Sequence, residues 1–197
     1  MERRVALGLG LSVAFAAALT PSAFARPGRR WKTILDGHGL DGWTPIGDAN
    51  WAVKDGAVQA NAGKGGFLVS SGAYGDVRIE AEFWVSDDAN SGIFIRCTNP
   101  ARIGVDTAYE VNIFDRRPDP TYGTGAIVNV AKVSPMPKAG GRWNRMEITA
   151  LGDRFSVAVN GVRTVDNVAD AAHAHGRIAL QYGAGVVKFR KVRVREI

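Results

Sequence analysis

From residue 31 onward, apolar and polar residues alternate with a period of two, in short runs broken by glycine and turn signals. Successive side chains of a β-strand point to opposite faces, so such runs predict half-buried strands. They fall at Lys32–Leu35, Trp51–Lys54, Ala57–Ala60, Phe67–Ser70, Val77–Val85, Gly92–Thr98 and Ala108–Phe114. Six more follow at Ala126–Ala131, Trp143–Ala150, Arg154–Val159, Val162–Val168, Gly176–Tyr182 and Val186–Arg195. Asp55-Gly56 and Asn160-Gly161 each separate two runs by two residues and supply the positive φ that a tight hairpin turn requires. The only helix candidate, at 170–175, is too short to matter. Many short strands without β-α-β alternation predict an all-β fold, a two-sheet antiparallel jelly-roll sandwich.

Three consecutive runs carry unusual polar faces. In Val77–Val85 the apolar set is Val77, Ile79, Ala81, Phe83 and Val85, leaving Glu82 and Trp84 on the other side. In Gly92–Thr98, Phe94 and Arg96 oppose Ile93, Ile95 and Cys97; in Ala108–Phe114, Glu110 and Asn112 oppose Tyr109, Val111 and Ile113. Strict alternation groups Glu82, Trp84, Phe94, Arg96, Glu110 and Asn112 on one face. Aromatic rings beside carboxylate, amide and guanidinium groups suit a carbohydrate, whose C–H faces stack and whose hydroxyls need directional partners. A cross-strand ion-paired face with aromatics among its charges is the alternative.

The first residues add a second layer. Arg3-Arg4, an apolar run from Val5 to Leu19 and Ala23-Phe24-Ala25 have the order of a secretory signal peptide over residues 1–25. The apolar run falls short of the roughly 20 residues of a membrane span, so no membrane partner is expected after cleavage. Residues 26–30 read as a flexible arm and 31–197 as the β-domain, exported to the periplasm or secreted. With one cysteine, Cys97, no internal disulfide can form, and its apolar setting makes it a packing residue. The net charge of +6 is concentrated at the ends of the β-domain. Near the C-terminus the basic residues alternate with Val187, Phe189, Val192 and Val194, as on a solvated strand face, and no nucleic-acid partner is expected.

Other chemistry is sparse. The Pro-flanked segment Thr121-Tyr122-Gly123-Thr124-Gly125-Ala126 is a candidate binding rim but lacks the Lys-Ser/Thr ending of a phosphate loop. His173 and His175 offer two imidazoles without a third ligand, and His38 lies in a turn. No cofactor is expected, and a divalent cation beside Glu82 is left open.

An ordered series of motifs then becomes recognisable. It comprises Leu35-Asp36-Gly37 through Leu40-Asp41-Gly42-Trp43, Trp51-x-Val53-x-Asp55-Gly56, Tyr74-Gly75-Asp76 leading to Glu82-Phe83, and Asn90-Ser91-Gly92-Ile93-Phe94-Ile95-Arg96. Tyr109-Glu110-Val111-Asn112-Ile113, Thr124-Gly125-Ala126-Ile127, Gly141-x-Trp143-Asn144, Asn160-Gly161-Val162 and Ile178-Ala179-Leu180-Gln181 before Phe189-Arg190 complete it. The chain resembles the 3-keto-disaccharide hydrolase family across nearly all of 31–197. The resemblance implies a concanavalin A-like jelly roll that binds its ligand on a concave sheet and acts on glycosides oxidised at C3. Glu110 would then be the base, Arg96 the enolate stabiliser and Glu82 an acid, with Trp84, Phe94, Asn112, Thr124, Gln181 and Tyr182 around the substrate. Tyr182-Gly183-Ala184 stands where that family commonly has Asp-His-Gly, and Asn112 where it often has Gln. A non-catalytic carbohydrate-binding or envelope structural module on the same fold is the alternative function.

Overall fold

The computed structural model describes residues 30–197, so the segment read as a signal peptide and most of the arm lie outside the described residues. Thirteen strands form two antiparallel sheets. The first strands are β1 (Lys32–Leu35), β2 (Trp43–Gly47), β3 (Ala52–Lys54), β4 (Ala57–Ala60), β5 (Gly66–Tyr74), β6 (Val77–Val85), β7 (Ser91–Cys97) and β8 (Tyr109–Ile113). A 3₁₀ turn at Pro120–Tyr122 precedes β9 (Trp143–Leu151), β10 (Arg154–Val159), β11 (Val162–Ala169), β12 (Gly176–Tyr182) and β13 (Val187–Glu196). The larger sheet runs β11-β10-β9-β6-β13-β4-β3, with β1 also on β13; the smaller runs β2-β5-β12-β7-β8.

The hydrophobic positions explain the sandwich. Val77, Ile79, Ala81, Phe83 and Val85 of β6 all face inward, as alternation predicts. They meet Phe155 of β10, Phe189 of β13 and, from the smaller sheet, Leu68, Ile93, Val111 and Leu180. Each large side chain so buried stabilises the fold by about 2 kcal/mol. Asp55-Gly56 and Asn160-Gly161 form the expected turns, with φ of 52° and 71° in the first and 52° and 80° in the second.

Three expectations differ from what is observed. Trp43–Gly47 is a strand, although Pro45 weakens its sequence signal; it is an edge strand, where a missing N–H is tolerated. The expected strand at 126–131 is instead a tight segment, bridged to β8 at Val111–Ile127 and closed on itself at Ile127–Ala131, with Val128 N–H donating to the Glu110 carbonyl. The short helix candidate at 170–175 is irregular, because Asp170 caps Ala172 and ties down the Tyr109 hydroxyl.

Candidate functional site

The outer face of the smaller sheet gathers a compact polar group. Gly92 of β7 lies across from Asn112 of β8, and Phe94 across from Glu110. On the other side β12 pairs Leu180 with Ile93, which brings Gln181 beside Gly92. Asn112 and Gln181 thus flank one glycine on neighbouring strands, about 10 Å apart from backbone to backbone. A Cβ on Gly92 would lie 3.3 Å from Glu110 Cγ and 3.4 Å from Oε1, so the carboxyl side chain occupies the space this glycine leaves.

Three acceptors converge here with little to satisfy them. Asn112 donates from Nδ2 to the Tyr122 carbonyl at 2.6 Å, which fixes the amide and leaves its buried Oδ1 without a partner. Gln181 Oε1 is likewise buried and unpaired. Glu110 is 8% exposed; burial pushes its carboxyl above the usual range, opposed by the charge of Arg117. A buried acceptor without a donor costs roughly 1–3 kcal/mol, so each of these two amide oxygens can accept a donor brought by a ligand. Beside it runs an apolar strip of Val69, Phe94, Cys97, Ala108 and Ala179, with Ile46, Phe67 and Ile103 packed on top. Phe67 meets Phe94 edge-on at 5.2 Å.

Four expected site residues lie elsewhere. Glu82 and Trp84 face solvent from the larger sheet, because β6 belongs to the opposite layer from β7 and β8. There Glu82 pairs with Arg190 at 2.6 Å, and Trp84 lies 4.9 Å from Lys188 Nζ. Tyr182 points inward and is 5% exposed in the core. Arg96 is carried to the inter-sheet side by a bulge: three steps along β7, from Phe94 to Cys97, match two along β12, from Ala179 to Arg177. Arg96 takes up the extra residue at φ 53°, so Cys97 joins Phe94 on the outer face. Only glycine fits beside the bulge, since a Cβ on Gly176 would lie 2.4 Å from the Cys97 carbonyl oxygen.

Arg96 is consumed by structure. It donates to the carbonyls of Gly152 at 2.7 Å, His173 at 3.0 Å and Gly75 at 3.1 Å, pairs with Asp76 at 3.4 Å and lies 5.0 Å above the Phe155 ring. Thr124 accepts from the Phe114 N–H and donates to Asp115, whose other oxygen takes the Ala139 and Gly140 N–H groups. Thr124 therefore braces the rim behind Asn112. Burial pushes the Cys97 thiol up to about 12, so it stays protonated and inert. Among the described residues no three His, Cys, Asp or Glu side chains gather as a metal site. Gly92, Arg117 and Phe67 were not among the expected site residues. Gly92 opens an expected strand but has no side chain to signal chemistry, and the nearness of Arg117 to Glu110 depends on how the segment after β8 folds back.

Fold and site together define a β-sandwich with a cluster of buried acceptors on one outer face. The chain belongs to the family of 3-keto-alpha-glucoside-1,2-lyase-like domains, whose sequence profile matches residues 30–195. A 3-keto-disaccharide hydrolase of Bacteroides thetaiotaomicron is 26% identical over 147 residues, covering 59% of this chain and 51% of that protein. The chain thus spans about half the length of that relative. A structure from Parabacteroides distasonis ATCC 8503, provisionally named a glycosyl hydrolase, superposes with a TM-score of 0.75 at 15% identity, covering 85% of this chain and 94% of that one. Carbohydrate-binding module CBM66 of Bacillus subtilis superposes at 0.62 and 17% identity, covering 79% and 96%. At these identities the two structures share the fold.

Proposed function

We propose that the protein cleaves the glycosidic bond of 3-keto-glycosides on the outer face of the smaller sheet, with Glu110 as the base. The observation that carries this is the Glu110 carboxyl: buried, raised in pKa by that burial and lodged beside Gly92, with the unpaired buried oxygens of Asn112 and Gln181 on the strands either side of that glycine. A ketone at C3 acidifies the proton on C2. Glu110 takes that proton, and the electron pair passes into the C2–C3 enolate. The C1–O bond then breaks, C1=C2 forms and the ketone is restored. The departing oxygen collects the proton Glu110 now holds, and water adding across C1=C2 completes hydrolysis. A carboxyl with a raised pKa suits both taking and returning a proton. Arg117, whose charge already acts on Glu110, takes the enolate-stabilising role that the sequence assigned to Arg96. The Asn112 and Gln181 oxygens accept sugar hydroxyls, and Phe67 offers an apolar edge. The signal-peptide pattern of residues 1–25 supports a reaction outside the cytoplasm, which fractionation of expressing cells would check.

The test is to incubate the protein with a 3-keto-glucoside and with the plain glucoside and to follow aglycone release. Only the keto compound should be cleaved, and Glu110→Gln should lower the rate by about 10²–10⁴-fold. Cleavage of neither compound would sink the enzymatic assignment; cleavage of both would sink the keto-specific one. A second reading, sugar binding without turnover, is favoured by Gly183. It offers no side chain, and its N–H is held by the Asn90 carbonyl at 2.8 Å. Saturable binding of the keto-glucoside without cleavage would select it.

A further inference from the structure

The outer face of the larger sheet is not spent by the chemistry above. Where β13 pairs with β6, the register shifts between Phe189 and Lys191. Phe189 and Val192 both stay buried, so Arg190 and Lys191 both point outward. β13 therefore presents five basic side chains on one face: Lys188, Arg190, Lys191, Arg193 and Arg195. The nearby carboxylates are already engaged. Glu80 is held by Arg145 and Arg193, Glu82 by Arg190, and Glu147 by Arg145.

Arg195 lies directly across from Arg78. Like charges facing each other across strands are unfavourable, and neither guanidinium has a carboxylate partner among the described residues. Arg195 Nε is shielded from solvent and makes no hydrogen bond. Both arginines line a groove of about 520 Å³ that also contains Trp31, Thr149, Ser156 and Arg163, with Glu80 and Glu147 on its wall, each already held in an ion pair by Arg145. The Trp31 ring lies 4.8 Å from the Arg193 guanidinium and 5.1 Å from that of Arg195, which limits their freedom before any ligand arrives. Ser156 accepts the Asn167 N–H, so its own proton remains available to donate.

We infer that this groove binds the acidic groups of an anionic polysaccharide, with Arg78 and Arg195 as paired forks on one carboxylate or sulfate. Guanidinium groups match such oxyanions with two parallel donors each, and an anion between them removes their mutual repulsion. A nucleic acid would also seek open rings for its bases, but Trp31, Trp84 and Trp143 each carry a cation against the ring. The choice of a glycan among polyanions rests on the sugar-directed reading of the opposite sheet.

The experiment titrates the full chain with polygalacturonate, dextran sulfate, neutral dextran and single-stranded DNA. Polygalacturonate or dextran sulfate should bind, neutral dextran should not, and binding should weaken as salt rises. The double variant Arg78→Gln/Arg195→Gln should bind about tenfold more weakly or worse, without loss of thermal stability. Arg78→Glu should abolish binding while raising Tm, because it gives Arg195 an internal partner. Equal binding by the double variant, equal binding of neutral dextran, preference for DNA, or no binding of any polyanion would overturn the inference. Glu110→Gln should leave polyanion binding unchanged. Cleavage of the keto-glucoside without polyanion binding would remove this inference alone.

Discussion

A carboxylate covered by protein loses most of the hydration that stabilises its charge. Glu110 is in that position, so the fold holds its proton more tightly than the unfolded chain does. Its contribution to stability is present at pH below the ordinary carboxylate range and is lost as pH rises through its raised folded value. Glu110→Gln, which copies the neutral form, should therefore raise Tm at neutral pH and leave it nearly unchanged in acid, a pairing that thermal melts at both pH values would check. Arg117 pulls the other way on the same group. Removing it in Arg117→Ala should move the acid limb of the kcat/KM profile to higher pH, because the base must be ionised to act. A downward shift would show that Arg117 does not act on Glu110.

At the scale of the element, β7 decides the site. Up to Phe94 its side chains alternate as the sequence predicts; the bulge then reverses the order, sending Arg96 inward and Cys97 outward. Alternation can be read from a sequence, but an extra residue absorbed at φ 53° leaves the same letters in the same order. The partner strand was equally invisible. Glu82 and Glu110 are both outward-facing, but on layers facing opposite ways, and sheet membership depends on pairings such as β6 with β13 across more than a hundred residues. What alternation did place correctly were Glu110, Asn112 and Phe94, on two strands that turned out to be neighbours. Because Arg96 joins carbonyls from three separate segments, Arg96→Ala should cost about 3 kcal/mol or more, lowering Tm by roughly 6–12 °C. Gly92→Ala acts differently. Its methyl would press on Glu110 Cγ and Oε1, so turnover should fall by about tenfold to a hundredfold while the melt moves little. Steady-state kinetics set beside calorimetry would separate the two variants.

For the whole molecule, turn chemistry and strand spacing made the sandwich legible, and Asp55-Gly56 and Asn160-Gly161 formed the hairpins their residues predict. The basic C-terminal strand, legible as a solvated face, became a concentrated cationic surface only through the bulge that turns Arg190 and Lys191 the same way. Burying both sheets against one core leaves the two proposed surfaces looking in opposite directions. Packed sheets lie about 10 Å apart, so a polymer resting on β13 runs on the far side of the protein from Glu110. The polymer held by the basic groove would therefore be a mooring and not the substrate. An enzyme so arranged need not travel along that polymer. It would sit still on an acidic matrix with its catalytic side turned outward, taking small oxidised glycosides as they diffuse past.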